Sequence, residues 1–121
     1  MSNAINWFEI PATNFERAVD FYGKVLGSPL QPMDQPEMRM AFFPTSDQGV
    51  GGCVTHGNGN NPNTNGTLVY LNGGDDLAKP LSRVTDAGGE VIMPKTSIGE
   101  NGFMAIFRDS EGNRVAFHSM S

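Results

Sequence analysis

Three side chains stand out for what they could do together: Glu9, His56 and His118. One carboxylate and two imidazoles suffice as three ligands for zinc, or as a general base with a proton shuttle. Each falls in a strand-like segment, where alternate residues share a face. That alternation places Glu9 with Trp7, His118 with Ala116 and His56 with Val54, so all three are expected to point into one cleft. A plainer reading leaves the two histidines half-exposed at strand ends. Glu9 is the stronger candidate for ligand contact or catalysis. A carboxylate beside an indole loses solvation, so its pKa should rise unless a base faces it, and Arg39 is the expected partner.

The remaining residues expected at the cleft are large and apolar: Trp7, Met40, Phe42 and Phe103, with Ala116 and His118 beside them. Aromatics with one or two polar groups are the usual lining of a small-molecule pocket, and a flat indole can stack on a planar ligand. Met33, Met38, Met40, Met93 and Met104 would let such a pocket adapt its shape. Other chemistry is absent. Gly49-Val50-Gly51-Gly52 lacks the Lys-Ser/Thr and the helix of a phosphate loop, no serine sits in a Gly-x-Ser-x-Gly elbow, and Cys53, mid-strand with no basic neighbour, reads as a packed thiol.

The elements that must position these residues occur twice. Asn6–Ile10 alternates as a strand closed by Pro11. Thr13 and Glu16 have capping-box spacing, and Phe15, Ala18, Val19, Tyr22, Val25 and Leu26 form a helical stripe that Gly27 ends. Strand patterns follow at 30–33, 39–43 and 50–55. After the turn-rich run 58–65 the order repeats: a strand at 67–71, a helix capped by Asp75 or Asp76 and carrying Leu77, Leu81, Val84 and Ala87, then strands at 90–93, 103–107 and 114–119. Pro80 is expected to delay or bend the second helix. Phe15 falls on Leu77, Gly27 on Gly89 and His56 on His118, 62 residues apart each time. This predicts an α+β fold of two βαβββ modules, 4–57 and 66–120, forming an open, incomplete barrel with a central cleft.

Composition narrows the function. Thirteen acids against eight scattered bases give a net charge of -5, which disfavours nucleic acid and anionic membranes as partners. A single cysteine makes no intramolecular disulfide, and no stretch approaches the roughly 18 apolar residues of a membrane helix, so a cytoplasmic protein is expected.

Trp7–Thr13 running into Phe15–Tyr22 and Val25-Leu26-Gly27, then Asp86–Val91, then Phe107–Arg114 together resemble the vicinal oxygen chelate superfamily of glyoxalase I, extradiol dioxygenases and bleomycin-binding proteins. The resemblance implies a cleft in which metal-dependent members hold a divalent ion with His, Glu or Gln from the first and last strands of each module. Those positions match Trp7 and Ala116 here, and the repeat carries them to Val69 and Val54. None coordinates a metal through its side chain. The expectation is therefore a protein that binds a hydrophobic or aromatic compound with no metal cofactor. The alternative is a lyase, isomerase or dioxygenase holding one divalent metal ion at a displaced site of Glu9, His56 and His118. Small relatives often pair their modules between chains, which implies a homodimer.

Overall fold

A computed structural model describes residues 5–34, 38–57 and 60–121. The first module runs β1 (Trp7–Pro11), α1 (Phe15–Leu26), β2 (Gln31–Asp34), β3 (Met38–Phe42) and β4 (Gly51–Gly57). The second runs β5 (Val69–Asn72), α2 (Ala78–Leu81), β6 (Glu90–Ser97), a 3-10 turn at Gly99–Asn101, β7 (Phe103–Arg108) and β8 (Arg114–Ser119). Each module makes one four-stranded sheet, ordered β1-β4-β3-β2 and β5-β8-β7-β6, with the first pair parallel and the rest antiparallel. The two sheets do not close into a barrel, and the α+β architecture of two βαβββ modules is the expected one. Among the described residues, no helix is long and apolar enough to cross a membrane.

Helix α1 is amphipathic, burying Phe15, Ala18, Phe21, Tyr22 and Val25, and it stops where Gly27 takes a φ of 71° that a side chain would resist. Its cap differs from the capping box expected at Thr13. Asn14 is the N-cap and accepts from Arg17 N–H at 3.1 Å, while Glu16 turns outward to pair with Arg39. The second helix is shorter than its apolar spacing suggests, four residues continued by turns through Gly88. Asp76 accepts from Ala78 N–H at 2.9 Å, and Pro80 sits where helical N–H groups have no partner anyway, so the ring costs no bond there.

Register decides which side chains meet. In the first sheet Phe8, Ile10, Ala41 and Val54 turn toward α1; in the second, Val69, Leu71, Ala105, Phe107, Val115 and Phe117 turn toward the same interior. One apolar core thus joins both modules: Phe21 of α1 lies 6.2 Å from Phe107, while Tyr22 beside it packs on Phe43 of its own module at 5.2 Å. The opposite face of each sheet points away from that core.

Candidate functional site

The outer face of the first sheet carries a trough. Along β4 the outward residues are small: Gly51, Cys53, Thr55 and Gly57. The strands on either side are not. Trp7, Glu9 and Pro11 rise from β1, and Met38, Met40 and Phe42 rise from β3, in rows opposite those small residues. Trp7 and Phe42 meet edge to face across β4 with centroids 5.6 Å apart, and a methyl group on Gly51 would lie only 3.3 Å from the indole. Cys53 and Thr55 are thereby buried without joining the shared core.

Trp7 is 41 % exposed, its ring held by an Nε1–H bond donated to Glu9 at 3.2 Å. The Cys53 thiol, opposite Glu9, is pushed up to about 12 by burial first and by the Glu9 charge second, so it stays protonated at neutral pH. Thr55 Oγ1 has no hydrogen-bond partner among the described residues. At its Trp7 end the trough adjoins a cavity of about 360 Å³ in the seam between the modules, lined by Glu9, Asn63, Val69 and Arg114 among others.

The second sheet repeats the arrangement more openly. Ala116 and His118 on β8 face outward between Tyr70 of β5 and Met104 and Ile106 of β7. Ala116 is fully covered, whereas Tyr70 is 52 % exposed. His118 donates from Nε2 to Asn101 O at 2.6 Å.

Of the residues expected at the cleft, Trp7, Glu9, Met40 and Phe42 share the first trough, and Ala116 and His118 share the second face. Three do not belong with them. Arg39 lies on the helix side, over the Phe15 ring and paired with Glu16 and Asp34, so it does not face Glu9. His56 is its cross-strand neighbour and donates from Nδ1 to Ala12 O at 2.8 Å, and Phe103 points inward beneath Lys95. The triad Glu9, His56 and His118 is therefore not assembled.

The cause is strand parity. Ala12 N–H bonds Thr55 O just as Gly73 N–H bonds His118 O, so the first strands correspond at 61 residues and the last strands at 63. The helix ends also correspond at 61, since Gly27 and Gly88 take the positive φ and the next residue bonds back five positions in each. An offset of 62 therefore errs by one in opposite directions on the first and last strands, which flips every side chain there. Val54 and Val69 are core residues; the outward positions belong to Cys53, Thr55 and Tyr70. The signal for this was available, because Val54 is the one large aliphatic residue in Gly52–His56 and belongs on the covered side.

The divalent ion implied by the resemblance does not fit these residues. Trp7 and Ala116 offer no donor, and Cys53 holds its proton. Among the described residues no three of His, Cys, Asp and Glu are gathered for a metal ion.

Comparison with known proteins places the chain. No curated protein matches it in sequence. Its fold is similar to a single-substitution variant of glyoxalase I from Zea mays at 23% identity and TM-score 0.72, covering 93% of this chain and 44% of that one. The chain thus spans less than half the length of that enzyme. TnmS3, an antibiotic binding protein from Streptomyces sp. CB03234, is similar over 100% of this chain and 99% of its own, at 22% identity and TM-score 0.70. A glyoxalase/bleomycin resistance protein/dioxygenase family enzyme from Burkholderia phytofirmans PsJN is similar over 96% and 98%, at 14% identity and TM-score 0.70. The family model for this fold matches residues 4–117, and by that match the chain belongs to the Glyoxalase/Bleomycin resistance protein/Dioxygenase superfamily.

Proposed function

We propose that this chain binds a hydrophobic or aromatic small molecule in the trough over β4, without a metal ion. The observation that carries the reading is Trp7: an indole fixed by Glu9, edge-on to Phe42, in the place where metal-dependent relatives of the resembled superfamily hold an ion. A flat aromatic wall over a floor of small residues suits a planar ligand. The antibiotic-binding relative of matching length shows that this fold can serve as a binding protein.

A second copy of the chain supplies the other wall. Trp7 at 41 % and Met33 at 48 % exposure on the first outer face, and Tyr70 at 52 % and Met93 at 37 % on the second, leave apolar surface on both sides of the monomer. A two-fold dimer that sets one copy's first face against the other's second face covers both and makes two equivalent clefts.

The test uses Nile red, a neutral solvatochromic dye, in the presence of a metal chelator, with sedimentation in parallel. Saturable binding at one site per chain, quenching Trp7, together with a dimer, supports the proposal. Dye binding that appears only on adding a divalent ion overturns it.

A further inference from the structure

Thr55 holds the unpartnered polar atom on the trough floor: Oγ1 has no hydrogen-bond partner among the described residues although Thr55 is only 1 % exposed. A hydroxyl buried this way loses its bonds to water and gains none, a penalty larger than the net benefit of an ordinary bond. Valine would fill the same volume without it.

Its surroundings say what could use it. Thr55 lies in the row of Pro11, Met40 and Met33, on the face of Trp7 and Glu9 and two residues along β4 from Cys53. The other polar groups of that face are committed, of the wrong kind or, like the Gln31 amide on edge strand β2, exposed to water. The indole N–H is donated to Glu9, the Glu9 carboxylate only accepts, and a thiol is a weak donor. The Thr55 O–H is thus the strong donor left free on the buried floor. Its row neighbour Met40 is unbranched and flexible, able to swing aside for a ligand. Phe42, which Trp7 touches, stands opposite Cys53, and two strand residues advance about 7 Å, so two or three fused rings reach from the indole to the hydroxyl.

We infer that Thr55 Oγ1 is the polar anchor of the trough, donating a hydrogen bond to a carbonyl oxygen of an aromatic ligand that packs against Trp7. The inference rests on the small-molecule reading above and narrows the ligand to aromatic carbonyl compounds. Glu9 rejects such an oxygen and the Gln31 amide is exposed to water, so Thr55 is the buried place for the carbonyl.

The test compares 9-fluorenone with fluorene, the same skeleton without the carbonyl, on the full chain by Trp7 quenching and calorimetry. In Thr55→Val the ketone-to-hydrocarbon affinity ratio falls about fivefold from its wild-type value, and Thr55→Ser keeps the wild-type ratio. Thr55→Val also raises Tm by about 3 °C, because the orphan is removed. A ratio unchanged by Thr55→Val, or a lowered Tm, overturns the anchor. If both compounds bind with an unchanged ratio, the anchor fails while the small-molecule reading stands; if neither binds, both fall.

Discussion

Tyr22 and Asp109 lie 87 residues apart in sequence and meet at 2.7 Å, the phenol donating to Oδ2. The carboxylate is otherwise held by the N–H groups of Glu111 and Asn113, both at 2.9 Å on Oδ1, and by the Asn113 amide, which also reaches Pro11 O at 2.7 Å. The β7–β8 turn is thereby tied to the helix and first strand of the other module. Burial, and then the Asp109 charge, raise the Tyr22 pKa well above its ordinary value. Tyr22→Phe leaves a buried carboxylate short of one donor, so it should cost about 2 kcal/mol of unfolding free energy in urea titrations.

Acid should loosen the same seam. Glu111, its side chain fully covered, accepts from Asn14 N–H at 2.6 Å and from Arg17 at 2.7 Å. Burial alone would raise its pKa, but the bonds from Arg17, Asn14 and Ser110 outweigh it and hold the carboxyl below its ordinary 4.5. A pKa depressed by folding contributes stability that is present above 4.5 and lost as pH falls through the folded value. Unfolding midpoints should hold from pH 7 to pH 5 and drop below 4.5, and Glu111→Gln should flatten that acid limb. Glu16 and Asp76 shift the same way but are exposed, so they add little.

Cys53 should be nearly inert. With its thiol pushed up to about 12, iodoacetamide at pH 8 should label the native chain about a thousandfold more slowly than the urea-unfolded chain. Glu9→Gln removes the secondary cause and should speed native labelling without exposing the sulfur. Equal rates for native and unfolded protein would contradict the closed floor beneath Trp7 and Phe42.

Arg39 and Trp7 should separate cleanly as variants. Arg39→Met breaks exposed pairs with Glu16 and Asp34 on the helix side, so it should cost less than about 1 kcal/mol and leave Nile red affinity unchanged. Trp7→Ala should weaken the dye about tenfold, read from the dye's own emission, with little loss of stability from a side chain 41 % exposed.

Much of this was legible in the sequence because its cues are local. The Phe15–Tyr22–Val25 stripe, Gly27 and the turn-rich run at 58–65 each need only their own neighbours, and both modules follow from them. Facing is not local. The facing of His56 fails because an offset of 62 is carried into a strand where one residue of slip reverses direction. That of Arg39 fails because pairing it with Glu9 ignores its alternation with Met40 and Phe42, while Trp7 and Glu9 follow from alternation within a single strand. The Thr55 hydroxyl was beyond reach, since a missing partner shows only when every neighbour is in position. Cys53 was read as a packed thiol, but its place on the trough floor depends on the pairing of three strands.

A carboxylate supplied by the second module serves the first turn of α1, and across the same divide Phe21 packs on Phe107 and Tyr22 donates to Asp109. Neither half owns a complete interior. A single protease nick in the peptide near Thr64–Gly66 should therefore leave two fragments that stay associated and elute together, whereas either fragment made alone should precipitate until its complement is added.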